Sequence, residues 1–306
     1  MNSLINFPYF GELSALLAAL CWSIAVIIFK SVSKELSPLL ITALKNTIAL
    51  CFFISTFILF DIPLWHSGFE KIDYLKIILS GCLGMGIADI LFITALSKIG
   101  ANRVAIINCF EPAVIYLFSI MILGIALTAQ QFIGFSIVII SILIISYEKD
   151  LIEINPKIKL RGIITQIFAV ILSSFGIVLI KPILTIVNND IKLQLWVTVF
   201  RLVPGFLVTW IIFMFSKNKL ILLKPLKKSI IIWKILISSG LGTFMALSFW
   251  IIGYANIEKP PIASIIGQTS AIFILILSYL ILNERLTKLR LISISTAIFG
   301  VVLITI

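Results

Sequence analysis

Ten runs of mostly apolar residues, each about twenty long, alternate with short polar breaks along the whole chain, at roughly 11–31, 38–60, 74–97, 101–123, 128–147, 160–182, 192–215, 229–254, 260–282 and 287–305. A helix that crosses a bilayer needs ~20 such residues. The pattern therefore predicts an all-α membrane protein of ten transmembrane helices. Pro38, Pro260 and Pro261 fall where helices start, a position that tolerates the missing N–H. The most hydrophilic interruption near the middle, 148–159, separates two sets of five runs. This predicts a first five-helix repeat over 1–148, a connecting loop over 149–159 and a second repeat over 160–306.

The halves echo each other. The stretch 101–147 returns as 260–306, each an apolar run, a tight polar break at 124–128 or 283–287, and a second apolar run, with Leu127-Thr128 in register with Leu286-Thr287. Earlier, 18–30 echoes 169–181, with Ser23 against Ser174 and Lys30 against Lys181, and Lys45 falls near Arg201. Two Ile/Leu-rich helices can match by composition alone, but a break in register does not follow from composition. Five is odd, so the second half enters the membrane from the opposite side. The expectation is an inverted repeat with a pseudo-twofold axis in the membrane plane and a site near the midplane between the halves.

Composition agrees. With 61% hydrophobic and 12% charged residues, the chain cannot hide its apolar surface in a soluble core. A formal charge of +11 would suggest nucleic acid in a soluble chain. Here the Lys and Arg sit mostly in short loops, where they orient helices and meet anionic lipid, so nucleic acid is not expected. The loops after the odd-numbered spans hold most of them, which puts those loops in the cytoplasm and both termini outside a cell (inner) membrane. Cys21, Cys51, Cys82 and Cys109 lie inside apolar runs without metal-ligand spacing and read as small buried packing residues. Residues 1–10 carry no positive charge ahead of the first run and no small-residue cleavage site, so a removable signal is not expected.

Ionisable groups at depth are costly, so each faces the protein interior or a water-filled cavity. Asp89 lies near the centre of the third span, Glu111 near that of the fourth, Lys45 within the second and Arg201 within the seventh. Each reads either as part of a structural ion pair or as a coupling group. An acid buried there is neutral unless Lys45, Arg201 or a bound cation sits against it, and an acid without such a partner is able to carry a proton. Of the two, Asp89 suits the proton and Glu111 the substrate. Asn108 and Glu111, three apart, share a helix face, and Pro112 removes one backbone hydrogen bond beside them. Gln268 lies one position from the register mate of Asn108; both amides read equally as interhelical glue. Trp22 and Trp250 sit too deep for the interfacial belt. Trp250 and Tyr254, four apart, form a candidate aromatic wall, with belt anchoring as the alternative for Tyr254. Lys30 and Lys181, near helix ends, read as lysines that snorkel to the interface. Gly81, Gly84, Gly86, Gly240 and Gly242 read as close-packing positions rather than hinges.

Several short stretches then resemble one family. Leu16-Leu17-Ala18-Ala19-Leu20-Cys21-Trp22-Ser23 is similar to the first-helix pattern of the EamA-type branch of the drug/metabolite transporter superfamily, with Ser23 where Gly is usual. Ala43-Leu44-Lys45 and Phe200-Arg201-Leu202 resemble its basic positions, and Glu111-Pro112 its fourth-helix proline. Leu282-Asn283-Glu284-Arg285-Leu286 resembles a loop that commonly reads Leu-Gly-Glu-Arg-Leu, while Gln131-Phe132-Ile133-Gly134 and Gly300-Val301 fit the helices after each such loop. The chain departs from the pattern in a first loop without Glu, in Ala271 where the second copy has proline, and in Asp89, which matches no family position. The resemblance implies a ten-helix secondary transporter of a small organic metabolite, amino-acid-like or otherwise polar or cationic.

The competing readings are a membrane-embedded enzyme using Asp89 and Glu111, and a channel. His66, the only histidine, falls in a loop. The sequence has no His-Glu-x-x-His, no Gly-x-Ser-x-Gly and no Walker-type loop. No cofactor or metal is expected. The expected partners are the substrate and the lipid bilayer, with protons as a candidate coupling ion and a homodimer as a candidate assembly.

Overall fold

The computed structural model describes residues 9–65, 68–123, 128–146, 155–187, 190–217, 219–256, 260–284 and 286–305. Among them the apolar runs are helices and there is no strand. Helices α1 (Phe10–Val32), α2 (Pro38–Leu59) and α3 (Lys71–Ile99) are followed by α4 (Ala101–Asn108), α5 (Glu111–Leu123) and α6 (Ala129–Ser146). The second half holds α7 (Pro156–Ile186), α8 (Ile191–Met214), the short α9 (Lys219–Leu223), α10 (Ser229–Asn256), α11 (Pro260–Leu282) and α12 (Lys288–Thr305). Six of them, α1, α2, α3, α7, α8 and α10, are long and apolar enough to cross a membrane, and shorter apolar runs occupy Phe132–Ser141 and Ile266–Leu282. In the absence of water each backbone N–H and C=O must find its partner within the helix.

Local chemistry starts the helices where expected. Ser37 caps α2 by accepting from the Leu40 N–H at 3.3 Å, with Pro38 behind it. Asn155 caps α7 through the Lys157 N–H at 2.9 Å, with Pro156 at the first position. The sixth span therefore begins inside the expected 149–159 loop and runs for 31 residues. The polar break at 124–127, most of the linker (147–154), residues 1–8, His66 and Arg285 lie outside the described residues.

The fourth span is not one helix. Cys109 and Phe110 close it with tight turns (Cys109 N–H to Ile106 O, 3.2 Å; Phe110 N–H to Ile107 O, 3.0 Å), and Glu111 opens α5 with Pro112 in its first turn, where proline costs nothing. Asn108 and Glu111 thus flank a break instead of sharing one helix face. In the second half Ala271 stands where Pro112 does, and α11 runs through unbroken.

Both third helices contain a π-helical stretch, Gly81–Ala88 in α3 and Gly240–Met245 in α10. Such a widened turn offsets the i→i−4 ladder and leaves carbonyls for other donors. Asn46 Nδ2 donates to Met85 O at 3.0 Å inside the first of them. The glycines there serve close approach: a Cβ on Gly81 would stand 2.0 Å from Arg201 O, and one on Gly242 would stand 2.6 Å from the Ala25 Cβ.

Packing is reciprocal between the halves. α2 lies on α8 and α6 on α12, each against its own counterpart, while α1 packs on α10 and α11 and α7 packs on α3, α4 and α5. One core gathers Phe29, Ile93, Leu96 and Ile106; another gathers Phe53, Ile77, Ile180 and Trp196, with Phe200 stacked on Trp196 at 3.9 Å. Exposed Ile54, Ile58, Phe132, Phe168, Ile211 and Trp233 give the outer surface its apolar face. The cysteine expectation fails for two of four: Cys21 and Cys109 are buried, but Cys51 is exposed and Cys82 half-buried, because an apolar run in lipid has no single inward side.

Candidate functional site

A cavity of about 440 Å³ lies between the halves, inside the usual range for small-molecule sites. Its wall takes residues from α1, α2, α3, α4, α5, α7, α8, α10 and α11. All nine residues singled out in the sequence stand on it: Trp22, Lys45, Asp89, Asn108, Glu111, Arg201, Trp250, Tyr254 and Gln268. Three of them are deeply buried, with Lys45 at 2%, Arg201 at 5% and Gln268 at 9% exposure.

The charges divide unequally. Lys45 is hydrogen-bonded to Asp89 Oδ2 as an ion pair and donates to Asn46 Oδ1 at 3.1 Å. Lys45 is thus the cation that sits against Asp89. Arg201 does not complete a matching pair, because Leu247 occupies the position in α10 that Asp89 holds in α3. Instead its Nε donates to Ser80 Oγ at 2.8 Å, and Ser80 in turn donates to Gly176 O at 2.5 Å. That chain ties α8, α3 and α7 together across the two halves. Arg201 also acts electrostatically on Glu111. Among the described residues no hydrogen bond or ion pair reaches the Glu111 carboxylate.

The amides are arranged by the break in the fourth span. Asn108, last residue of α4, accepts from Gln166 Nε2 of α7 at 2.6 Å, so it acts as an interhelical link and as cavity wall together. Gln166 is 1% exposed and its own Oε1 has no partner among the described residues. The sequence reading missed Gln166 and Thr243, although the rule that drew attention to Asn108, a polar side chain at depth, applies equally to both. Trp250 and Tyr254 stack at 5.3 Å with ring planes 18° apart, and Trp22 leans on Phe92 at 5.3 Å. Tyr254 is thus part of the wall.

The two end lysines part company. Lys30 does not snorkel outward: its Nζ donates to Leu96 O at 2.8 Å and Ser97 O at 3.0 Å, capping the carbonyl end of α3. Lys181 is on the cavity, with its Nζ 5.8 Å from the centre of the Tyr254 ring. Each lysine stays within its own half and meets a different kind of group there.

One end of the bundle is tied together. Glu284, in the loop after α11, accepts from the Ala101 N–H at 3.1 Å and the Asn102 N–H at 3.4 Å at the start of α4, where the helix dipole favours a carboxylate. Gly100 at φ 85° lets the backbone turn beneath it, and a Cβ there would stand 3.0 Å from Glu284 Oε1. Ser278 donates to the Asn102 side chain, and Lys228 pairs with Glu35 at 2.5 Å. α11 meets α4 here.

Together these features define a helical membrane protein built of two like halves around a polar, aromatic-walled cavity. Profile comparison matches residues 9–147 and 160–306 to the EamA-like transporter family, and the chain belongs to that family, within the drug/metabolite transporter superfamily. A solved crystal structure aligns with a TM-score of 0.65 over 96% of both chains at 14% identity, a likeness of fold alone. A sequence search of curated proteins finds no match.

Proposed function

We propose that this protein is a secondary transporter that carries a small organic metabolite across the cell (inner) membrane by alternating access, with ten spanning helices arranged as inverted repeats over 1–148 and 160–306. The observation that carries this reading is the cavity, whose polar and aromatic groups come from both halves, with Glu284 of the second half bound to the start of α4 in the first at one end of the bundle. The reciprocal packing of the halves supports the inversion. On this reading the end carrying Lys30 and Glu284 is the closed one, and exchange of the two half-conformations would move the closure to the other end. Glu111, whose carboxylate no hydrogen bond or ion pair reaches among the described residues, is the group available to exchange a proton or meet a substrate amine; Asp89 holds Lys45 in place.

The test begins with a thermal-shift screen of purified protein against a metabolite library, since a ligand at ~100 Kd stabilises by ~2.7 kcal/mol. Each hit is then followed by counterflow in proteoliposomes. Exchange of labelled for unlabelled hit without ATP is expected; a substrate flux that does not saturate and shows no exchange would point to a channel and defeat the proposal. Glu111→Gln tests the coupling: counterflow persists and gradient-driven accumulation is lost if Glu111 carries the proton.

A further inference from the structure

The ionisable wall of the cavity, tyrosine aside, holds three cations and two acids, Lys45, Arg201 and Lys181 against Asp89 and Glu111. Lys45 and Asp89 neutralise each other in direct contact. Arg201 and Glu111 act on each other across the cavity. Lys181 is left over: among the described residues no carboxylate lies within ion-pair distance of it, and its recorded contact is the face of Tyr254. A half-buried ammonium on a cavity wall with no counter-charge is costly, and a cation–π contact compensates only in part. A ligand that brings a negative charge supplies the missing partner.

We propose, building on the transport reading above, that the substrate is an organic monoanion whose carboxylate seats on Lys181 while its apolar or aromatic body lies along Trp250 and Tyr254. The stacked rings beside the ammonium present a flat apolar surface next to the charge, which is the pairing that an aryl or alkyl carboxylate needs. Ala15, Ala18 and Ala19 of α1 also line the cavity, with Ala15 packed against Tyr254. The group on offer is one ammonium, and a phosphate monoester would bring about −1.5 to −2 at neutral pH, so a carboxylate matches Lys181 more closely than a phosphate does. Lysine is a compact charge without arginine's planar fork, so it selects for charge and leaves the shape of the acid to the aromatic wall.

The measurement is ligand-induced thermal stabilisation of the purified full-length protein in detergent, with no gradient, against four probes of one shape: 3-phenylpropanoate, 3-phenylpropanamide, 2-phenylethylamine and 2-phenylethyl phosphate. The acid is expected to bind at least tenfold more tightly than the other three. Lys181→Gln is expected to bring acid and amide to within about threefold of each other, and Lys181→Arg to restore most of the gap. Equal binding of acid and amide to the wild type, preference for the amine or the phosphate, binding of none of the four, or an acid-to-amide ratio that survives Lys181→Gln would each overturn the proposal. The last outcome would leave Lys181 as a tether for Tyr254. Because the assay has no membrane, a protein that selects acids and fails counterflow would defeat only the transport reading, and a protein that exchanges hits with no preference for acids would defeat only this one.

Discussion

Set side by side, the two halves of the cavity carry the same backbone plan and opposite charge. Both acids come from the first half, Asp89 and Glu111, and their register mates in the second half are Leu247 and Ser270. The basic positions are kept in both, Lys45 with Arg201 and Lys30 with Lys181. The first half is thereby self-sufficient: Lys45 finds Asp89, and Lys30 finds the carbonyls of Leu96 and Ser97. The second half is not, so Arg201 reaches into the first half for Ser80 and Lys181 faces the cavity. A duplicated fold can thus keep its packing while unpaired groups in one copy are left for a partner from the other copy or from solution.

The largest effect should come from making the first half resemble the second at Asp89. Asp89→Leu strands the ammonium of Lys45, which is 2% exposed, and breaking a buried pair in this way costs about 3–5 kcal/mol. Thermal unfolding in detergent should show a large loss, and the double variant Lys45→Met/Asp89→Leu should recover most of it. Failure of the double variant to recover would mean that Asp89 does more than neutralise Lys45. Gly81→Ala should follow, at about 1–3 kcal/mol, because the added methyl meets the backbone oxygen of Arg201, which has no rotamer to move. Gly84→Ala, whose methyl meets the far end of the Arg201 side chain (Nη2, 2.9 Å) and no backbone atom as closely, should cost clearly less; equal losses at Gly81 and Gly84 would refute the account of close helix approach.

Lys30→Met should cost about 1–2 kcal/mol for two lost hydrogen bonds to carbonyls. It should also raise labelling of a cysteine placed at Ser97 by a water-soluble maleimide, while the same change at Lys181 leaves that labelling unchanged. The smallest effect belongs to Glu284→Gln, which keeps the acceptor and loses its charge at the start of α4, about 0.3–1 kcal/mol, and this loss should fade at high salt.

Much of the plan was legible in the sequence. The apolar runs, the helix starts at Pro38 and Pro260 and the two-repeat plan follow from local composition and its echo along the chain. The break between Asn108 and Glu111 was half legible: Pro112 announces trouble for the helix, but two residues of tight turn ahead of it were needed to resolve how the chain responds. The π-helical stretches were not legible: Gly81, Gly84, Gly240 and Gly242 read as close-packing positions, and nothing in a glycine count specifies their backbone. Lys181 was misread because a lysine near a helix end has the same sequence signature whether it reaches lipid headgroups or an internal cavity.

The sequence by itself determined that the chain is a bundle of membrane helices in two like halves, because a bilayer demands long apolar runs with internally satisfied backbones and each run declares itself without reference to the others. Only the tertiary structure decided that Lys45 takes Asp89, that Arg201 takes Ser80, and that Glu111 and Lys181 are left facing the cavity. Helices apolar on every side carry no stripe to say which face turns inward when lipid is as apolar as the core. Their rotation is fixed by the contacts of Gly81 with Arg201 and Gly242 with Ala25, and those contacts exist only once the halves are packed together.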